Sequence, residues 1–134
     1  MAAPMSAFDI AGRAMSAQLV RLNTTASNLA NAGSVASSKE GAFRALKPIF
    51  SSVADGAGNA TVKVDQVVAA PIEPTKRHDP NHPMADKNGD VWLAGVDSAA
   101  EMIEMLETAR QYQNNVQVMQ TAKTLTLDTL RLGK

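Results

Sequence analysis

Residues 6–33 read SAFDIAGRAMSAQLVRLNTTASNLANAG, a stretch with a regular helical pattern. Apolar and small residues recur in it at alternating steps of four and three, which places them on one stripe of a single α-helix. Ser6 followed by Asp9 is a capping-box pattern, and Gly33 is expected to close the helix in the left-handed conformation. We therefore predict a helix over residues 7–31. The members of its stripe are Phe8, Gly12, Met15, Leu19, Leu22, Ala26 and Leu29.

The last third of the chain carries a second helical pattern. Ser98 and Glu101 form another capping pattern, and Gly133 marks an end, which predicts a helix over residues 99–131. Because neither apolar stripe is stable in water, we expect the two helices to pair as an antiparallel coiled coil. The second stripe consists of Ala99, Met102, Leu106, Ala109, Val116, Met119, Leu127 and Leu130.

The region between the helices has no helical period. Valines at 62, 64, 67 and 68 predict a strand, and residues 91–93 predict another after the turn signal at 88–90. Prolines between 74 and 83 exclude a helix there. The expected fold is mainly α, with paired terminal helices and a small irregular β or extended middle excursion. The expected segments are residues 1–33 and 96–134 as the helical core and residues 34–95 as the middle region.

Composition narrows the classes of function. The 134 residues fit one domain, and 13 basic residues balance 13 acidic ones. No segment is basic enough for nucleic acid or an anionic membrane surface, and no apolar run reaches the roughly 20 residues of a membrane span. Since the N-terminus lacks a basic region followed by an apolar run, we expect no cleavable secretory signal. The absence of cysteine excludes disulfides and thiol catalysis.

The first helix and the middle of the second carry few charges. Between Met5 and Ala32 only Asp9, Arg13 and Arg21 are charged, and residues 111–122 carry no charge at all. A solvated helix usually covers its outer face with charged residues, so these helices are expected to be enclosed by copies or neighbours. An ordinary polar helix face is the alternative. For packing within the subunit we predict Phe8, Met15, Leu19, Leu22, Leu29, Leu106, Val116, Met119, Leu127 and Leu130. For contacts between subunits we predict Asn23, Asn28, Asn31, Gln113 and Asn115.

Candidate chemical sites are weak. His78 and His82 have a spacing that metal ligands use on a helix, but the surrounding prolines exclude that helix. Residues 86–90 hint at a calcium loop but lack the closing glutamate, so turn chemistry is the better interpretation. We therefore predict no catalytic, cofactor-binding or metal-binding residues, no cofactor, and no enzymatic activity. A metal-dependent hydrolase that uses His78 and His82 is kept as a third hypothesis.

Four segments carry a family resemblance. Residues 17–32 (AQLVRLNTTASNLANA) resemble the N-terminal signature of bacterial flagellar rod and hook proteins, and residues 101–115 (EMIEMLETARQYQNN) resemble their C-terminal segment. The ending from Leu125 to Gly133 is similar too. Residues 78–89 (HDPNHPMADKNG) resemble a loop of the small proximal-rod members, whose short length also fits this chain.

The resemblance implies a structural subunit of the proximal rod in the flagellar basal body. Such a subunit polymerises into the axial drive shaft that crosses the periplasm and transmits torque from motor to hook. Its implied partners are copies of itself, other axial rod proteins and the flagellar type III export apparatus, with export that needs no cleaved signal. The rival hypothesis is a soluble helical-hairpin adaptor that presents its middle loop to a protein partner.

Overall fold

The computed structural model describes residues 5–133, so the outermost parts of the predicted terminal segments, residues 1–4 and 134, lie outside the described residues. Two long helices enclose five strands in the chain order. The elements are α1 (Ala7–Asn31), β1 (Val35–Ala36), β2 (Leu46–Ala54), β3 (Ala60–Ala69), β4 (Thr75–His78), β5 (Asp90–Leu93) and α2 (Ser98–Leu132).

The start of α1 follows the predicted capping box. The Ser6 hydroxyl accepts from the backbone N–H of Asp9, and the Asp9 carboxylate accepts from the backbone N–H of Ser6. The predicted left-handed Gly33 is wrong, because the chain leaves the helix through Ala32 in the right-handed conformation and Gly33 has no positive φ. A left-handed cap is not needed there, since the Ala32 N–H already bonds to the carbonyl oxygen of Leu29.

The start of α2 differs from the prediction by one residue. Asp97 is the N-cap, and its carboxylate accepts from the backbone N–H of Ala100. Ser98 is therefore the first helical residue, because aspartate at 97 satisfies the free N–H groups of the first turn. Gly133 caps the other end, as predicted.

A long hairpin forms most of the middle region. Strands β2 and β3 pair antiparallel from Leu46↔Ala69 to Ala54↔Ala60, with one irregularity after Ile49. At the tip, Gly56 and Gly58 adopt positive φ angles that other residues rarely accept. The hairpin packs along α1, with its tip near the start of the helix, where the Met5 N–H donates to the Asp55 carboxylate at 2.9 Å.

The other strands make a small antiparallel sheet in the order β1-β5-β4. Gly89, with φ of 77°, provides the turn before β5 that the sequence predicts at residues 88–90. Beyond β5, Gly95 is buried and donates its N–H to the carbonyl oxygen of Phe43. This sheet joins the C-terminal end of α1 to the N-terminal end of α2.

The expected mainly-α fold with a small middle excursion is wrong. The five strands form two antiparallel sheets, so the middle is a sheet-containing region. Strand β2 escaped prediction because Pro48 and the pair Ser51-Ser52 interrupt its apolar pattern. Proline is nevertheless compatible with an edge strand, and both strands of a two-stranded sheet are edges.

The buried apolar side chains are small. They include alanines from α1 and from the segments around the sheets, with Val91 of β5 as the largest. Small side chains bury little apolar area, so each contributes little to the free energy of unfolding. The buried set consists of Ala11, Ala17, Ala42, Ala45, Ala70 and Val91.

Candidate assembly surface

The two helices pack antiparallel along a polar seam. The Gln111 side-chain oxygen accepts from Gln18 at 3.0 Å and from Arg21 at 3.2 Å, and Arg21 also pairs with Glu104. The hydrogen bond from Arg21 lowers the pKa of Glu104 below its usual value. Nearer the start of α1, a Cβ added to Gly12 would lie 3.8 Å from the terminal methyl of Met119. Along the seam, the residue numbers of α2 decrease as those of α1 increase, so the two helices are antiparallel.

A buried polar junction ties three elements together where α1 ends and α2 begins. Asn28 is 0% exposed and Glu101 is 1% exposed. The Asn28 side-chain nitrogen donates to Glu101 at 3.0 Å, and Lys47 of β2 donates to the same carboxylate at 2.7 Å. Asn28 also bonds the backbone of Leu46, the residue before Lys47. The bonds close a ring through α1, α2 and β2, which satisfies the carboxylate while it is removed from water.

The side of α2 that points away from α1 exposes five large apolar side chains, with the polar residues Arg110, Asn114 and Gln117 between the second and the third. We call it the outer face, and its members are 52–87% exposed. Among residues 5–133, α2 packs on no element other than α1 apart from the Lys47–Glu101 ion pair, so this face has no cover within the chain. Several large apolar side chains exposed on one side of a helix are typical of a surface that binds another protein. The outer face consists of Ile103, Leu106, Val118, Leu125 and Leu132.

The residues predicted to pack within the subunit divide into two groups. One group is half-buried: Met15, Leu22, Leu29, Val116 and Met119. The other group is exposed: Phe8, Leu19, Leu106, Leu127 and Leu130. Leu106 lies on the outer face, and the two last leucines lie where α2 has already passed the start of α1. The side of α1 that α2 and the hairpin cover is a different one, and its buried residues are mostly small. They include Ala11, Ala17 and Thr25.

The residues predicted to contact other subunits are also divided. Asn28 makes its hydrogen bonds within the buried junction of its own subunit, and Asn31 donates to the carbonyl oxygen of Ser27 at 2.8 Å. Asn23 and Gln113 are exposed, and Asn115 is half-buried. Contacts between subunits through Asn23, Gln113 and Asn115 therefore stay a prediction, and Asn28 serves the interior of its own subunit.

Sequence reasoning missed most of the outer face and the burial of Glu101. Val118, Leu125 and Leu132 repeat every seven residues, which is a signal the sequence does contain. Glu101 was assigned to the helix cap, and its partners Asn28 and Lys47 lie 73 and 54 residues away. No local pattern connects positions that far apart.

The motifs of the middle region form turns and a hydrogen-bonded pair. The Asp86 carboxylate accepts from the N–H groups of Asn88 and Asp90, which is the expected turn chemistry. His78 bonds to Asp90 at 2.8 Å, and this bond, together with Lys76, lowers the pKa of Asp90. His82 instead accepts from the backbone N–H of Met84. Within residues 5–133 no three histidine or carboxylate side chains gather as a metal site would require.

Neither helix, over the described part of the chain, combines the length and apolarity needed to cross a membrane. The arrangement as a whole is that of a structural subunit, with paired end helices, a docked hairpin and an uncovered apolar helix face.

Two family models match the two ends of the chain. The model described as "Flagella basal body rod protein" matches residues 8–33, and the one described as "Flagellar basal body rod FlgEFG protein C-terminal" matches residues 87–132. The first lies within α1 and its exit, and the second spans β5 and α2.

Curated relatives match nearly the whole chain. The flagellar basal-body rod protein FlgC of Escherichia coli O6:H1 is 41% identical over 131 residues, covering 97% of this chain and 98% of that protein. FlgC of Salmonella typhimurium is 40% identical with the same coverage, and FlgC of Aquifex aeolicus is 34% identical over 119 residues, 88% of each chain. The chain therefore belongs to the FlgC family of flagellar basal-body rod proteins. Its role is structural, its place is the basal-body rod, and it assembles there with other rod components.

Proposed function

We propose that the chain polymerises, with copies of itself and with other axial proteins, into the proximal part of the rod and transmits torque through it. In this role the chain acts without catalysis and without a cofactor. The observation that carries the proposal is the outer face of α2, which exposes Ile103, Leu106 and Leu125 by 62–73% in the single chain. Burial of such side chains against a neighbouring helix removes apolar area from water and so stabilises the assembled state.

The paired helices would form the inner layer of the shaft. Torque would then be distributed over many packed side chains, and the head-to-tail contacts of identical subunits give an open array. Residues 34–95 would make contacts with neighbouring subunits. Asn23, Gln113 and Asn115 are the remaining candidates for polar contacts between the helices of different subunits.

Delivery to the rod would use the flagellar type III export apparatus, without cleavage of a signal peptide. The proposal includes no nucleic-acid partner and no direct insertion into the membrane. The first point is supported by the sequence, in which no segment is basic enough to bind nucleic acid. The second is supported by the absence of an apolar run of the roughly 20 residues that a membrane span requires.

The test is complementation in the source bacterium after deletion of the gene. The unchanged chain should restore swimming and should copurify with basal bodies. Leu22→Pro should restore neither, because a proline inside α1 removes a helix hydrogen bond and costs about 3 kcal/mol or more. Leu22→Met is the matched control, since it keeps the helix and the approximate volume, and it should swim.

Two outcomes would contradict the proposal. One is a set of Leu22→Pro cells that swim with complete hooks. The other is a purified, monodisperse helical monomer that binds a protein outside the flagellum and is absent from basal bodies, which would favour the adaptor.

A further inference from the structure

A groove runs between the first half of α1 and β3. Its volume is about 480 Å³, and its lining includes Phe8 and Val20 from the helix and Val62 and Val64 from the strand. Charged side chains from both elements also line it, namely Asp9, Arg13 and Lys63. The groove is thus apolar with charges of both signs at its border.

The end of α2 projects past the start of α1. Gly12 is level with Met119, so Ala7, the first residue of α1, is level with about residue 124. Every residue from Lys123 to Gly133 is exposed, as expected for a segment of α2 that has no part of α1 beside it. We call residues 125–132 the overhang, which extends about 12 Å at ~1.5 Å per residue.

The overhang and the groove have matching chemistry. Leu125 and Leu132 lie on one side of the overhang, 62% and 87% exposed, and Asp128 lies between them. Asp128 and Arg131 are about one helical turn apart, as are Asp9 and Arg13 in the groove. In an antiparallel approach, Asp128 meets Arg13 and Arg131 meets Asp9, while the two leucines meet the apolar lining.

We propose that the overhang of one subunit binds in the groove of the next copy of this chain. This inference rests on the proposed function, and it identifies one of the contacts through which copies polymerise. Arg13 is level with residue 118 of its own α2, so an incoming Asp128 belongs to a copy shifted by ten residues, about 15 Å along the helix axis. The two copies keep the same direction, and the contact leaves one groove and one overhang free at the ends. Such a contact is heterologous and extends into an open array.

Cross-linking tests the contact directly, because the natural chain contains no cysteine. In the proposed pairing Ser16 faces Leu125 of the neighbour, so a Ser16→Cys/Leu125→Cys variant should form disulfides between chains. A disulfide within one chain is out of reach, since Leu125 lies about 15 Å beyond the level of Ser16 and Cα atoms must come within about 7 Å. Oxidised basal bodies should then give a ladder of dimers and higher multiples. The control, Ser16→Cys/Ser98→Cys, moves the second cysteine to the opposite end of α2 and should stay monomeric.

Charge reversal provides a second test that does not depend on cysteine. Arg13→Asp and Asp128→Arg should each reduce swimming several-fold, and the double variant should restore it. Coexpression of the two single variants should also restore it, because each groove then meets an overhang of opposite charge.

The outcomes separate this contact from the proposed function. Basal bodies that contain the cysteine variant but yield only monomers would overturn the contact and leave the function intact. Should that variant not assemble, a double reversal that fails to restore swimming would overturn the contact. A disulfide that changes the electrophoretic mobility of the chain without raising its mass would show that the overhang binds the groove of its own chain. That result would also overturn the contact between copies. Absence of the unchanged chain from basal bodies would overturn both.

Discussion

The side-chain amide of Asn28 holds both backbone groups of Leu46: it donates to the carbonyl oxygen at 2.9 Å and accepts from the N–H at 2.8 Å. The amide acts toward Leu46 as a neighbouring strand would, although it belongs to a helix. The same nitrogen donates to the buried carboxylate of Glu101. One side chain therefore takes part both in the docking of the hairpin and in the docking of α2 onto α1.

Asn28→Ala should destabilise the fold strongly. The change leaves the N–H and the carbonyl of Leu46 and the Glu101 carboxylate short of partners, and a buried unsatisfied group costs about 1–3 kcal/mol. We expect a loss of about 2–4 kcal/mol in the free energy of unfolding, measured by urea denaturation. Asn23→Ala, at an exposed position of the same helix, should change it by about 0.5 kcal/mol or less. Equal effects of the two changes would contradict the account of the junction.

Gly95→Ala should disturb the connection between β5 and α2. A Cβ at this position would overlap the carbonyl oxygen of Ile72, which is backbone and has no flexible end that can move aside. We expect a loss of about 1–3 kcal/mol in the free energy of unfolding, the range typical of overpacking. Gly33→Ala is the control, since nothing lies within 4 Å of the added Cβ and φ is not positive, and it should be close to neutral. A fully stable Gly95→Ala protein would show that the close backbone crossing is not required.

Both helices could be predicted from sequence because their signals are local. Ser6 with Asp9, the four-and-three stripe and Gly133 placed the ends of α1 and α2 within about one residue. The hairpin could not be predicted as a hairpin, because β2 lacks alternation and is recognised only through its pairing with β3 and its packing on α1. The stripe of α1 also predicted the wrong buried side at Phe8 and Leu19. The prediction pairs α1 with α2 alone, whereas the hairpin also packs on α1.

Gly12→Ala should stabilise the chain. Gly12 lies within α1, and the added Cβ would make an ordinary van der Waals contact of 3.8 Å with Met119. Alanine is favoured over glycine in a helix interior by about 0.8–1.0 kcal/mol. The temperature of the unfolding midpoint should therefore rise in a thermal scan. A lower midpoint would mean that the two helices approach each other more closely than the structure shows.

Acid should weaken the attachment of the hairpin tip. Hydrogen bonds from the Asn59 side chain and the Met5 N–H, followed by those from Ala57 and Asn59, lower the pKa of Asp55 to about 2. The carboxyl group of Asp55 binds its proton at a higher pH in the unfolded chain than in the folded one. Its hydrogen bonds therefore raise the free energy of unfolding above pH ~4, and this contribution is lost as pH falls toward 2. Asp55→Asn should remove this part of the pH dependence, measured as the slope of unfolding free energy between pH 4 and 2. An unchanged slope would show that Asp55 does not hold the start of α1.

Cryo-electron microscopy of purified basal bodies would show directly whether the two helices stay paired in the assembled rod. We expect α1 and α2 to appear as adjacent antiparallel helices in the rod wall, with Ile103, Leu106 and Leu125 packed against another subunit. Density in which the two helices are separated, or in which those three side chains face solvent, would contradict this expectation.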